Sequence, residues 1–203
     1  MPSVATLLLF AAASAALVAI PGPNVLFVLA RGLGGGRRAA VVSVLGVETA
    51  TLCFVVSAAL GLTALLASSA VLFHVVRYLG AAYLLWLGMR ALVTRTAPVA
   101  DVPADGRTFR QAFVVGISNP KVAVFFLAFL PQFVTPGAGS ASLQVLVLGL
   151  VFLLVALVLD LGWALLAGVL AGWLRGHPAL LRRQRFVTGP IYLALGGYAA
   201  ASQ

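Results

Sequence analysis

The chain has 203 residues, of which 63% are hydrophobic and 8% charged, with a mean hydropathy of +1.14. Water-soluble domains do not reach such values, so this is an integral membrane protein. A net charge of +9 suggests a nucleic-acid partner. The basic residues, however, are gathered in clusters between apolar runs, the pattern of membrane topology.

Six apolar segments follow one another at 4–30, 39–67, 71–93, 110–133, 143–173 and 186–203. About 20 residues at 1.5 Å each cross a ~30 Å hydrocarbon core, so each can span as a helix, the last being short. Barrel strands would alternate apolar and polar residues over about 10 positions, and no such alternation occurs. The expected fold is an all-α membrane protein with six transmembrane helices.

The first segment holds no charge from Val4 to Ala30, yet carries IPGPN at Ile20 to Asn24. A proline inside a helix removes a hydrogen bond and crowds the carbonyl a turn earlier, at a cost of about 3 kcal/mol or more in a soluble helix. No Lys or Arg precedes Arg31, so the basic region of a signal peptide is missing and the segment is expected to be retained. Arg31, Arg37 and Arg38 then fall in or beside the first loop. Arg90, Arg95, Arg107 and Arg110 flank the third, and Arg175, Arg182, Arg183 and Arg185 the fifth. Loops one, three and five are therefore expected in the cytoplasm, with both termini outside.

The second segment contains Glu48 and the lone Cys53. One cysteine excludes an internal disulfide and CxxC redox chemistry, and packing is its expected use. In the third, His74 and Arg77 read as interfacial side chains, proton carriage by His74 being the alternative. The fourth carries SNPKV, with Phe125, Phe126, Phe129 and Phe133 read as lipid-facing or packing residues. The fifth holds Asp160 near its centre, and Gly168 and Gly172 as a GxxxG pair, used for internal packing or for a homodimer. Trp86, Trp163 and Trp173 are candidate interface anchors.

The chain also resembles itself. LVAIPGPNVLF from Leu17 aligns with VVGISNPKVAV from Val114, pairing Ile20 with Ile117 and Pro23 with Pro120. Gly80, Tyr83, Leu84 and Gly88 in the third segment recur in the same spacing as Gly189, Tyr192, Leu193 and Gly197 in the sixth. Residues 1–100 and 101–203 thus read as two three-helix repeats of one membrane domain, with a polar linker at 101–110. A repeat of three spans returns inverted, the architecture of secondary transporters with broken helices at a midplane site.

A break in a spanning helix is tolerated only against protein or a wet cavity. It frees N–H groups that attract a carboxylate and carbonyls that attract an ammonium. Glu48 and Lys121 lie roughly 14 and 16 Å from their cytoplasmic helix ends at 1.5 Å per residue. Asn24, Glu48, Asn119, Lys121 and Asp160 are therefore expected in one layer. Ionisable residues at that depth mark pathways and proton relays, the alternative being a structural ion pair of Lys121 with Asp160 or Glu48. No HExxH, GxSxG, Walker motif or His/Cys cluster is found, so neither an enzyme nor a cofactor is expected.

PGPN, YLGAAYLLWLGMRAL and GISNPKVAVFFLAFLPQF together resemble the LysE/RhtB family of amino-acid exporters, over essentially all 203 residues. The resemblance implies export of amino acids or close relatives through a six-helix bacterial inner-membrane protein, driven by proton exchange. It implies substrate-binding roles for Pro21, Gly22, Pro23 and Asn24, and for Asn119, Pro120 and Lys121. Glu48 and Asp160 are the expected proton-coupling or ammonium-binding acids. The family pattern often has glycine followed by an acid or amide where this chain has Ala50 and Thr51, with Glu48 a turn earlier. A heavy-metal or small-cation exporter and a non-transporting scaffold are the alternative functions. Soft metals favour thiolate and imidazole, which are scarce here.

Overall fold

The computed structural model describes residues 1–68 and 107–176, with isolated helical positions at 82, 85, 86, 89, 93 and 193. The third and sixth expected helices, with their shared glycine and tyrosine pattern, fall outside the described residues but for those positions, as do His74 and Arg77. The described elements are all helical.

Helix α1 (Val4–Ala19) starts at Ser3, whose hydroxyl oxygen accepts from the Thr6 N–H at 3.1 Å. It stops where Pro21 forces Ile20 into an extended conformation, φ −73° and ψ 120°. Helix α2 (Pro23–Ser68) begins with a proline in the first turn, where the missing N–H costs nothing. It is two helices, not one. Gly36 has φ 74° and ψ −176°, outside helical space and open only to a residue without a side chain. There the chain doubles back, packing Val28 and Leu29 of the first arm against Ala40 and Val44 of the second.

Helix α3 (Thr108–Ile117) leads to a second break at Ser118 and Asn119. Helix α4 (Pro120–Val124) then runs on through a π-helical turn (Phe125–Phe129) and a 3-10 turn (Leu130–Phe133). Pro131 has no N–H to give and crowds the carbonyl a turn earlier, which accounts for irregular geometry on either side of Leu130. Helix α5 (Ala141–Gly176) is long and unbroken. Gln144 ties the preceding loop to it, accepting from the Thr135 N–H at 2.9 Å and donating to the Thr135 carbonyl at 3.0 Å.

Among the described residues two helices are long and apolar enough to cross a membrane by themselves, Gly35–Gly61 and Ala141–Ala167, and two bent pairs complete up to four spans. The pairs are Val4–Ala19 with Pro23–Gly32, bent by 56°, and Thr108–Ile117 with Pro120–Phe133, bent by 43°. Both expected breaks are therefore real.

Each straight span has two faces. Leu150, Leu154, Val158 and Leu165 of α5 are exposed, whereas Leu148, Phe152, Ala156, Asp160 and Ala164 point inward at helical spacing. On α2, Leu45, Leu52, Val56 and Leu60 form the outer stripe. Cys53 sits in that stripe and is exposed, not packed inside as expected. The four phenylalanines of 125–133 are buried, in a cluster with Phe10 and Phe152, so packing is their role and lipid contact is not. Lipid tails are as apolar as these rings, so the gain from clustering them is close packing, with Phe125 and Phe129 stacked at 4.9 Å between centroids. Glycines bring α2 and α3 together. A Cβ on Gly46 would lie 2.5 Å from the Phe109 carbonyl oxygen, and one on Gly116 would lie 2.8 Å from the Ala50 Cβ.

Candidate functional site

The two breaks lie against one another. Breaking the chain at 20–22 leaves the Ile20 carbonyl without the N–H that a continuous helix would bring a turn later. Lys121 supplies the donor: its Nζ donates to that carbonyl at 2.9 Å. Across the same contact the Asn119 Nδ2 donates to Asn24 Oδ1 at 2.8 Å. Asn119 also caps its own helix, its Oδ1 accepting from the Lys121 backbone N–H at 3.0 Å. Gly22, at the head of α2, offers no side chain to cap the Asn24 and Val25 N–H groups. A Cβ there would come 3.6 Å from the Lys121 Nζ, so lysine and glycine backbone are neighbours.

These groups close on one cavity of about 20 Å³, room for roughly one water molecule. Gly22, Asn24, Glu48, Asn119, Lys121 and Asp160 line it, with Thr51 and apolar walls that include Leu17, Val25 and Phe152. Of the residues expected at the site, Pro21, Pro23 and Pro120 do not face the cavity. They shape the breaks that surround it. Glu48 comes from the inner face of α2, one turn before Thr51, and Asp160 from the inner stripe of α5.

The acids are the unusual element. Glu48 is 6% exposed and Asp160 3%, and their carboxyl groups are near neighbours. Both oxygens of Glu48 and Oδ1 of Asp160 are buried and accept from no donor among the neighbouring residues, and the two carboxyl groups lie within hydrogen-bonding reach of one another, so that one proton can join them. The Thr51 hydroxyl lies beside Glu48 and donates to the Val47 carbonyl at 3.3 Å. Lys121 likewise gives its hydrogen bond to backbone, so the structural ion pair considered from the sequence is not the arrangement seen. Two buried carboxyl groups with unsatisfied oxygens are costly unless something positive or protonated joins them.

Arg31 is a residue whose place the sequence concealed. Grouped with the first loop, it is 1% exposed, because α2 does not turn until Gly36. Its Nη2 donates to Gln111 Oε1 and its guanidinium lies 5.2 Å from the Phe27 ring centroid. Arg31 follows Asn24 by two turns and Gln111 precedes Asn119 by about as much. The half-helices 23–32 and 108–117 are thus pinned together at both ends. The apolar runs were readable, but the partner on the other broken helix was not.

The family model of the LysE type translocator matches residues 15–203. The chain is similar to a homoserine/homoserine lactone efflux protein of Salmonella typhimurium, 30% identical over 187 residues that cover 90% of each chain. It is 38% identical over 187 residues to an uncharacterised membrane protein of Pseudomonas aeruginosa, covering 85% of this chain and 82% of that one. A leucine efflux protein of Enterobacter is 34% identical over 137 residues, 65% of each chain. No solved structure matches. The two efflux proteins are transporters and not enzymes, and the match to the translocator family model spans nearly the whole sequence. The chain belongs to the LysE type translocator family.

Proposed function

We propose that the protein exports an amino acid or a close derivative from the bacterial cytoplasm across the inner membrane, in exchange for protons. The observation that carries this reading is the meeting of two broken helices on one buried cavity. There, a lysine and helix-end N–H groups share the lining with two neighbouring buried carboxyl groups. Lys121, with the N–H groups of Asn24 and Val25, receives the carboxylate of the cargo. Glu48 and Asp160 receive its ammonium. When the cargo leaves, a proton takes the place of the ammonium, so the pair is never left doubly charged and empty. Cargo and proton therefore compete for one place, which is the condition for exchange.

The residues 1–100 and 101–203 act as inverted halves that rock about the site, with both termini outside. The Arg31–Gln111 contact pins the halves on the side assigned to the cytoplasm, and the phenylalanine cluster fills the other. Loading from the cytoplasm requires the polar pin to part.

The test is an efflux screen. Cells are loaded with a panel of dipeptides, including ones that release homoserine and leucine, and the amino acids leaving are measured with and without the protein. Faster loss of one or a few amino acids is expected. An unchanged profile across the panel overturns the reading.

A further inference from the structure

We infer that Thr51 is a positioning residue for the proton of the buried carboxyl pair, its hydroxyl turning from the Val47 carbonyl to Glu48 whenever Glu48 gives up that proton. This rests on the reading that Glu48 and Asp160 carry the exchanged proton, and it adds a third residue that decides how firmly they hold it.

Other helical hydroxyls of the molecule show how tightly such a group binds its own helix. Ser14 donates to the Phe10 carbonyl at 2.7 Å, Ser43 to that of Ala39 at 2.8 Å and Thr49 to that of Leu45 at 2.7 Å, each four residues back. Thr51 makes the same kind of bond at 3.3 Å, beyond the usual O–H···O range of about 2.5–3.0 Å. Of these four hydroxyls it is the one that lies beside a buried acid, Glu48. Thr51 is itself 3% exposed and lines the same cavity. The loose bond is also dispensable, since in this regular stretch of α2 the Val47 carbonyl accepts the Thr51 backbone N–H in the helix ladder. Releasing the hydroxyl leaves no buried carbonyl unserved.

A hydroxyl hydrogen turns about the Cβ–Oγ1 bond, so the change of acceptor moves no heavy atom. While Glu48 holds a proton, that proton is shared with Asp160 and the Thr51 hydrogen stays on Val47. When the proton leaves for the cavity, two neighbouring carboxylates remain. Each then has a group of its own: the Lys121 ammonium from α4 bears on Asp160 of α5, and the Thr51 hydroxyl turns to Glu48. Thr51 lends a hydrogen bond and keeps its own proton, so no bond to its oxygen is made or broken. Among the described residues no further ionisable group faces Glu48. Helix α1 has none, Arg110 of α3 is exposed, and Arg31 on the first arm of α2 donates to Gln111.

The experiment follows the infrared C=O stretch of protonated carboxyl groups, which vanishes on ionisation, as the purified full chain in detergent is titrated with base. The chain has only 4 Asp and Glu residues, and the band missing from Glu48→Gln is that of Glu48. A donor to the ionised form lowers the pH at which the proton is lost, so removing the donor raises that pH. In Thr51→Val, which keeps the branched shape, the midpoint should rise by about one to two pH units, the reach of a hydrogen bond to a charged group. Thr51→Ser, which keeps the hydroxyl, should bring it back. Thr49→Val, which removes an exposed hydroxyl bonded to its own helix, should leave it unmoved. Thr51→Ala is a second chain without the hydroxyl and decides the matter if the valine variant does not fold. An equal midpoint in the unaltered and hydroxyl-free chains, or a Glu48 band that does not titrate while the protein is folded, would overturn the inference. The titration requires no transport, so a raised midpoint in a protein that fails the efflux screen would count against export alone. Proton-driven accumulation with an unmoved midpoint would count against Thr51 alone.

Discussion

Replacing Lys121 by methionine should abolish the distinction between an amino acid and its amide. The side chain is 7% exposed, and its Nζ spends one of three N–H groups on the Ile20 carbonyl at 2.9 Å, leaving two for a carboxylate at the cavity. A hydrogen bond to a charged group contributes about 1.5–3 kcal/mol, which at 1.4 kcal/mol per factor of ten is roughly 10- to 100-fold in affinity. Methionine keeps the apolar stem, so packing against Gly22 survives. The Ile20 carbonyl loses its donor at a cost of about 1–3 kcal/mol, partly offset because a charge need no longer be buried. The assay is counterflow in reconstituted vesicles with an exported amino acid and with its amide, for the native protein and Lys121→Met. The native protein should prefer the acid by about 10- to 100-fold. The variant should handle both alike, at the level of the amide. If Lys121→Met depresses acid and amide by the same factor, the lysine does not hold the carboxylate, and its role is to stitch the two breaks.

Gly46→Ala should destabilise the protein by about 1–3 kcal/mol in detergent unfolding, since the new Cβ would lie 2.5 Å from the Phe109 carbonyl oxygen. Gly61→Ala, with nothing within 4 Å, should be neutral or gain up to about 1 kcal/mol. In a Cys53→Ala background, Thr51→Cys should react with a small impermeant thiol reagent applied from the cytoplasmic side. Gln111→Leu, which unpins Arg31, should speed that reaction several-fold, and Gln111→Glu, which tightens the contact, should slow it. In the same background, cysteine at exposed Thr135 should label from outside the cell and cysteine at exposed Arg37 should not. Reversed labelling would invert the orientation.

The breaks, the straight spans and the gathering of the charges were legible in the sequence because each follows from local features. Proline and glycine inside an apolar run announce a break, and a count of residues from a basic cluster gives depth. That is why Asn24, Glu48, Asn119, Lys121 and Asp160 were all expected in the layer where the cavity lies. What could not be read was which group answers which. Lys121 has two acids within the same layer, and charge alone would pair it with one of them. The Ile20 carbonyl competes because breaking the chain at Pro21 strips it of its helical donor, a consequence that shows only when the two breaks are packed together. Arg31 is the same case at the helix end. Its sequence neighbours Arg37 and Arg38 drew it into the loop, while the turn at Gly36 keeps it in the helix, opposite Gln111. Cys53 was misplaced for a simpler reason: an apolar run with no polar stripe does not reveal which face meets lipid.

The measurement that bears most directly on proton-coupled export is accumulation in vesicles after an imposed pH step, with an amino acid identified by the efflux screen. The unaltered protein should concentrate that amino acid against its gradient. With Glu48→Gln and Asp160→Asn together, neither side chain can titrate near neutral pH. Uphill accumulation should then vanish, and any residual movement should be downhill only. If the doubly substituted protein still concentrates the amino acid in response to the step, neither buried acid carries the proton, and the exchange of ammonium for proton at this cavity is not how the protein works.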